Sequence, residues 1–324
     1  MRRSGLLALA ALLALAPSAL ADTTAEQPDQ AAAHDFGTRV HVASGISDGG
    51  KAYSLKGAAV TIEGPRPFAE SGTATVEIFR GKRKLDTVRA KLRGPQGKHG
   101  GFSAKFRARR LGDYKLRVAI RRDGEDSSSR TAKLGVTVIA PVATAGASGI
   151  RVRLLQRGLH NLGFVTSMNG QYDAATQRAV LAFRKTNNMA RTTGASKSVF
   201  ELLFAGKGGF TLRYPGAGKH VEFDWSRQVL VLARGGQPER IYHASSGKPS
   251  TPTVFGTFHF YSKTPGTNAK GMVYSNYFIR GYAIHGYAEV PPYAASHGCI
   301  RVPIPNAVSI FNWINLGDTI FVYR

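Results

Sequence analysis

The sequence predicts a multidomain, mostly-β protein: a β-sandwich first, a small three-helix module next, and a mostly-β C-terminal part with one clear helix. Three observations lead there. The chain has 324 residues, more than one ordinary domain of roughly 100–200 residues. Short alternating segments fill the stretch from about Thr38 to Val138, after which the apolar period turns helical, and beyond residue 218 the alternation returns. Hydrophobic residues make up 43% and charged residues 20%, a globular composition that excludes wholesale disorder.

The elements follow in order. Arg2 and Arg3 precede an apolar stretch from Leu6 to Ala16, and Ala19-Leu20-Ala21 offers a small-x-small cleavage signal. This is the pattern of a secretory signal peptide over residues 1–21, with Asp22 starting the mature chain. An uncleaved anchor helix is the alternative. Against it, the run is short for a hydrocarbon core of about 30 Å, and Pro17 interrupts it. No uncharged apolar run of about 20 residues follows. A polytopic membrane protein is therefore excluded, and no stable membrane span is expected after cleavage. No cysteine lies near the cleavage site, which argues against a lipid anchor. Residues 22–37 read as a disordered leader, small, polar and rich in Ala and Gln.

Residues 38–139 alternate in six segments: Arg39–Val42, Ala58–Ile62, Thr73–Phe79, Phe102–Phe106, Asp113–Ile120 and Ala132–Val138. Turns such as Asp48-Gly49-Gly50 and Asp123-Gly124 separate them. About seven short strands in such a stretch suggest an immunoglobulin-like β-sandwich. That likeness is architectural and carries no function.

Lys+Arg total 44 against 20 Asp+Glu, a formal net charge of +24. Residues 36–141 hold 22 basic and 9 acidic residues, and residues 142–324 hold 20 and 7, so the excess is spread over the chain. A secreted protein this basic is drawn to anionic polymers of a cell wall, such as teichoic acid or acidic glycans. Nucleic acid fits the charge alone, but secretion and the lack of any nucleic-acid motif argue against it. A merely solvated basic face is the other reading.

Residues 140–149, Ala-Pro-Val-Ala-Thr-Ala-Gly-Ala-Ser-Gly, read as a linker. Val152, Leu155, Leu159 and Leu162 then repeat at helical spacing and stop at Gly163, a C-cap. After a turn at Asn169-Gly170, Asp173 caps a second helix that buries Thr176, Ala179, Val180 and Phe183. Ser198-Val199-Phe200-Glu201 reads as a capping box opening a third, short helix. Val152, Leu155-Gln156, Leu159, Leu162-Gly163-Phe164, Asn169-Gly170-Gln171-Tyr172, Thr176, Ala179-Val180, Phe183 and Thr193-Gly194 resemble the peptidoglycan-binding module of wall enzymes. The resemblance covers most of residues 150–205 and implies peptidoglycan as partner. Most of these apolar positions equally serve a helical core.

Residues 206–218 form a second, Gly-rich linker, and residues 219–324 the last domain. Strands are expected at Gln228–Ala233 and Glu239–Ala244 around a Gly235-Gly236 turn, then at Phe255–Phe260 and Phe278–Ile284. A helix is expected at Asn306–Ile314 behind Pro305, and a closing strand at Gly317–Tyr323.

The chemistry gathers in His285-Gly286 and in Ser296-His297-Gly298-Cys299-Ile300-Arg301. Cys299 is the single cysteine, so no intramolecular disulfide and no multi-cysteine zinc site can form. Acyl transfer needs a thiolate, a base that makes it, and donors for the oxyanion. A free thiol has a pKa of about 8.5, so a neighbouring imidazole would generate the thiolate and stabilise it as an ion pair. Gly298 lets a carbonyl approach the amides around Cys299. Arg301, two residues on, can point to the same side and hold a carboxylate bidentately. Two plainer readings stand beside this one: a structural turn with a buried thiol, and a zinc triad of His285, His297 and Cys299 made awkward by ligands two apart on a turn.

Ala283-Ile284-His285-Gly286 and the run from Ser296 to Arg301 resemble the catalytic domain of the L,D-transpeptidases of bacterial cell walls. Ser246-Gly247-Lys248, Thr251-Pro252-Thr253 and Gly256-Thr257-Phe258 resemble that family's upstream loop, with Val254-Phe255 varying its spacing. The resemblance implies Cys299 as nucleophile and His285 as its base, with Gly286 placed so that its backbone orients the imidazole. His297 and Gly298 would shape the oxyanion site and Ser296 support it. Arg301 departs from members with Asn there; Tyr274 and Asn276 become candidates for substrate contact, with ordinary loop residues as the alternative. The loop Tyr287–Ala295 is short for the family, which implies an open cleft.

The implied function is a secreted cysteine acyltransferase of the cell wall or periplasm. It would cross-link peptidoglycan stem peptides through a thioester and release D-alanine, without metal or cofactor, contributing to wall biogenesis and cell shape. Water as acceptor would make the same site an L,D-carboxypeptidase. A non-catalytic wall-binding protein and a general cysteine peptidase are the remaining alternatives; the second lacks an identifiable residue to orient His285.

Overall fold

A computed structural model describes residues 40–65, 72–92, 101–123 and 130–324. The expected signal peptide, the leader and Gly124 of the Asp123-Gly124 turn lie outside the described residues.

The first part comprises strands β1 (His41–Val42), β2 (Ile46–Asp48), β3 (Lys51–Leu55), β4 (Ala59–Pro65), β5 (Gly72–Arg80), β6 (Arg83–Lys91), β7 (Gly101–Arg107), β8 (Gly112–Arg122) and β9 (Arg130–Ile139). They form a six-stranded sheet, β2-β3-β9-β8-β5-β6, and a three-stranded sheet, β1-β4-β7. Period-2 alternation drives this: Ala74, Val76 and Ile78 of β5 are buried while Thr73, Thr75 and Glu77 turn outward. The two inner faces share a core with Val60, Ile62, Phe102, Phe106, Leu116 and Val118. Each of the six alternating segments overlaps a strand, with Arg39 of the first outside the described residues. The sequence did not show β2, β3 or β6. Strand β6 is a polar edge strand, Arg-Lys-Leu-Asp-Thr-Val-Arg-Ala-Lys, with the charged side chains that blunt an exposed edge.

Helices α1 (Ile150–Asn161), α2 (Ala174–Thr186) and α3 (Lys197–Phe204) follow. Gly163 ends α1 with φ 86°, and the amides of Gly163 and Phe164 donate to the carbonyls of His160 and Leu159 at 2.9 and 3.0 Å, the paired bonds of a left-handed helix end. Asp173 caps α2 by accepting the Thr176 amide at 2.8 Å. The expected capping box at Ser198 does not form. The cap is Ser196 in extended backbone, so Ser198 lies inside the first turn, and Glu201 pairs with Lys197 instead. The segments read as linkers are docked. Ala143 and Ala195 exchange backbone hydrogen bonds, and Phe210 and Leu212 join a core that unites Tyr53 and Leu55 of β3 with Leu155, Leu159 and Phe183 of the helices and Val229, Val231 and Ile241 beyond. The helical module is therefore wedged between the two β regions.

The C-terminal part comprises β10 (His220–Asp224), β11 (Val229–Arg234), β12 (Gln237–His243), β13 (Gly256–His259), β14 (Ser262–Thr267), β15 (Val273–Ile279), β16 (Tyr282–Tyr287), β17 (Ile300–Pro303), α4 (Ile304–Trp313) and β18 (Thr319–Tyr323). Sheets β12-β11-β10-β18-β13 and β14-β15-β16-β17 enclose Phe223, Leu230, Leu232, Phe278, Ile284, Ile300, Val302 and Ile310. Gly235 and Gly236, at φ 60° and 75°, make the expected two-residue turn between β11 and β12. Phe278–Ile284 is not one strand: Arg280, at φ 48°, and Gly281 turn the chain between β15 and β16. Among the described residues no helix is long and apolar enough to cross a membrane.

Candidate active site

Strands β16 and β17 run parallel with His285 opposite Arg301 and Ile284 opposite Ile300. Partners in register point to one face of a sheet. Ile284, Ile300 and Val302 point into the core, so His285 and Arg301 point away from it. Alternation places Cys299, two residues before Arg301, on that same outer face. The charge of Arg301 reaches both Cys299 and His285, which agrees with this placement. Tyr287 shares the face: its ring lies 5.7 Å from that of His285 and 4.0 Å beneath the Arg301 guanidinium.

His285 is buried, and its Nδ1 lies 2.9 Å from the carbonyl oxygen of Gly286. With the proton on Nδ1 donated there, Nε2 is left bare as a proton acceptor. A main-chain carbonyl thus holds the imidazole where a side-chain Asn or Asp was sought. Gly286 is small for a second reason. A Cβ there would lie 2.7 Å from Cβ of Ala307 on α4 and 3.1 Å from Val273.

Cys299 is partly exposed, and its thiol donates to the Gly281 carbonyl at 3.6 Å. Burial pushes the thiol pKa up, while the Ala283 amide and then Arg301 pull it down. Burial likewise pushes the His285 pKa down, opposed by its bond to Gly286 and assisted by Arg301. Both shifts favour the neutral forms. Burial thus opposes the thiolate–imidazolium ion pair expected from the sequence.

The turn carrying Cys299 is locked from within and from outside. Ser296, buried, donates through Oγ to the Cys299 carbonyl at 2.5 Å and accepts the Gly298 amide at 3.1 Å. Gly298 takes φ 120°, and a Cβ there would meet the Tyr282 ring at 2.5 Å, so no larger residue fits. From outside, Thr253 Oγ1 donates to the Gly298 carbonyl at 2.6 Å and Thr251 Oγ1 to that of Ser296 at 3.1 Å. The amides of Ala295 and Ser296 both donate to Ser246 O at 2.8 Å. Gln228 grips Ser246 in turn, accepting its amide at 2.7 Å and donating to its Oγ at 2.8 Å.

The remaining candidates separate. His297 is exposed beside the turn. Asn276 is fully buried and pairs in register with Ile284, so it faces the core. Tyr274, at φ 51°, stacks edge-on against Phe311 of α4 at 5.2 Å. A register shift between Val273 and Asn276 inserts an extra residue in β15 and turns both side chains to the helix side. Neither side chain therefore lies on the face of Cys299. His285, His297 and Cys299 make no zinc triad: among the described residues no three His, Cys, Asp or Glu side chains group as metal ligands.

Residues 218–322 match a family model for the L,D-transpeptidase catalytic domain, YkuD, and residues 148–196 one for a putative peptidoglycan-binding domain. A crystal structure of an L,D-transpeptidase from Xylanimonas cellulosilytica is similar to this chain at 31% sequence identity and TM-score 0.52, over 57% of this chain and 98% of that one. The chain belongs to the L,D-transpeptidase family. L,D-transpeptidase 1 of Mycobacterium tuberculosis is 32% identical over 30% of this chain and 47% of the relative, so the chain spans about half the length of the curated relatives it matches. Within the domain that matches this family, Tyr287, Tyr282 and Gln228 neighbour the candidate site and were not singled out from the sequence. Tyr287 had a signal, since it follows His285 by two residues in an alternating strand. Gln228, remote in sequence, had none.

Proposed function

We propose that this protein cross-links peptidoglycan by acyl transfer through Cys299, outside the cytoplasm, as the signal-like residues 1–21 suggest. The bare Nε2 of His285 on the face of Cys299 carries the reading. Family membership supports the same chemistry. His285 Nε2 takes the thiol proton as sulfur bonds to a stem-peptide carbonyl carbon. The resulting oxyanion is stabilised by main-chain amides of the turn. The Gly298 amide is already spent on Ser296, which leaves those of His297 and Cys299 for this work. Collapse breaks the C–N bond, and the D-alanine amine leaves with the proton from His285. An acceptor amine then attacks the thioester, gives its proton to His285 and restores the thiol. Arg301, stacked on Tyr287, places a positive charge where a donor carboxylate can be held. The deciding experiment is intact-mass analysis with a carbapenem. Wild type should gain one adduct, and Cys299→Ala should gain none and form no cross-links. A wild-type protein that gains no adduct would leave only a wall-binding role.

The β-sandwich supplies a second contact. On the outer face of its larger sheet, Lys91, Arg89 and Lys84 of β6 and Arg121, Arg117 and Lys115 of β8 flank β5 in two rows. The trough between them is floored by Thr73 and Thr75, with Glu77 pairing to Lys84 and Arg117. The outer face of the smaller sheet carries Lys105 and Arg107 with Glu63. Along each row the charges stand about 7 Å apart at Lys91–Arg89 and Arg117–Lys115 and about twice that at Arg89–Lys84 and Arg121–Arg117, an extended array that suits a linear phosphate-bearing wall polymer. Retention of the full chain on walls containing such a polymer should fall steeply with salt. Replacing Lys91, Arg89 and Lys84 by Glu should flatten that dependence; equal retention by the variant, or a preference for DNA, would reject this partner.

A further inference from the structure

Strands β16 and β17 are parallel neighbours joined by residues 288–299, with no helix in between. Such a crossover has no ladder of its own, and Pro291 and Pro292 lack amide hydrogens. Its carbonyls must therefore be paired from outside. Three are. Val290 O lies 2.8 Å from His243 Nε2, Pro292 O accepts Arg191 Nη1 at 2.7 Å, and Tyr293 O accepts Ser245 Oγ at 2.6 Å. Arg191 follows α2 in the helical module and also donates to Ser226 O at 2.8 Å.

His243 is itself held from the module. Lys185 of α2, only 2% exposed, places its Nζ 2.7 Å from His243 Nδ1 and donates to Ala244 O at 2.9 Å. The hydrogen bonds run one way: Lys185 Nζ–H to Nδ1, then Nε2–H to Val290 O. The amino group thus has two acceptors, Nδ1 and Ala244 O, within hydrogen-bond reach. Burial, assisted by the charge of Arg191, holds the Lys185 pKa well below its ordinary value. Burial takes His243 down to about 3, which favours the neutral ring that this pattern of hydrogen bonds requires.

We infer that Lys185, His243 and Arg191 are positioning residues through which the peptidoglycan-binding module fixes the crossover that ends in Cys299. The inference rests on the proposed role of Cys299 for its catalytic consequence. The anchored carbonyls at 290, 292 and 293 lie between the strand of His285 and the turn of Cys299. Loosening them changes the distance between base and nucleophile without touching either. Within an acyl-transfer site a displacement near 1 Å costs on the order of 100-fold in rate.

The test uses the full chain in five forms: wild type, Lys185→Met, His243→Ala, His243→Gln and Arg191→Ala. Hydrogen–deuterium exchange is read peptide by peptide, beside the carbapenem acylation rate. Lys185→Met and His243→Ala should speed exchange over residues 288–299 at least about tenfold, leave α1 unchanged, and slow acylation by about ten- to a hundredfold. His243→Gln keeps an N–H directed at Val290 and should restore most of both. Arg191 is exposed, so Arg191→Ala keeps the fold and decides the matter if Lys185→Met does not fold. It should loosen the same segment and slow acylation, by less. Unchanged exchange over residues 288–299 in Arg191→Ala, faster exchange spread evenly over the chain, or a loosened crossover with unchanged acylation would each overturn the inference. Failure of wild type to acylate, with the exchange pattern as expected, would instead overturn the reading of Cys299.

Discussion

At Gln156 the buried side-chain nitrogen lies within 3.1 Å of Ser167 Oγ, Asn169 Oδ1, Gln171 O and Thr176 Oγ1, while its oxygen accepts the Gly170 amide at 2.8 Å. At His285 one ring nitrogen is engaged, by Gly286, and the other faces the side of the sheet that carries Cys299 and Arg301. Both side chains are buried and polar, but the first is satisfied on every side and the second on one. A saturated network fixes a shape. A buried group with one free lone pair keeps a proton acceptor dry and aimed, which is what general base catalysis requires. The contrast separates a residue that holds the module together from one that does chemistry.

Breaking each centre should give opposite signatures. His285→Ala should lower the carbapenem acylation rate by about 10²–10⁴-fold while the melting temperature stays within a few degrees; a loss under tenfold would remove the imidazole as base. Gln156→Leu should do the reverse. It strands the Gly170 amide and removes one partner each from Ser167, Asn169, Gln171 and Thr176, a cost of about 1–3 kcal/mol, or roughly five- to a hundredfold in the folding equilibrium. Acylation per folded molecule should hold. Urea unfolding beside an active-site titration checks both, and a Gln156→Leu protein of undiminished stability would mean that the network adds little.

The candidate site was legible in the sequence because it rests on rare residue types in a tight arrangement: one cysteine, two histidines and the glycines beside them. Its geometry was less so. Tyr274 and Asn276 seemed suited to substrate because each precedes the His285 strand, yet the extra residue in β15 reverses which face they occupy, and no local pattern announces that. Strand β10, His-Val-Glu-Phe-Asp, is buried along its length, but Glu222 accepts the amides of Arg213 and Tyr214, partners fixed only in the fold. Lys185 was hidden for the same reason. A lysine on an amphipathic helix reads as solvent-facing until a second domain covers it. Among the caps, Gly163 and Asp173 act through bonds to near neighbours and were found, whereas the third helix starts two residues before Ser198, at Ser196, whose hydroxyl makes no capping bond and accepts from Arg184 instead.

The smallest expected effect separates a neutral pair from a preformed ion pair. Burial raises the Cys299 pKa and lowers that of His285, and the positive charge of Arg301 lowers both. Acylation that needs neutral His285 should therefore persist as pH falls to the ordinary imidazole value of about 6.5 and decline only below it. Direct alkylation by iodoacetamide, which needs thiolate, should have its midpoint above the ordinary thiol value. Removing the cation in Arg301→Gln should move both profiles the same way. The acid limb of acylation should rise toward 6.5, because the imidazolium no longer faces a like charge, and the alkylation midpoint should rise further, because the thiolate loses a counter-charge. Each shift should stay under about one pH unit, since Arg301 is partly solvated. An ion pair predicts otherwise: alkylation would then already be fast near neutral pH, and its profile would show the imidazolium titrating above 6.5. Alkylation with a midpoint below about 7 would show that the thiolate exists before substrate arrives, and that His285 stores the proton instead of removing it during attack.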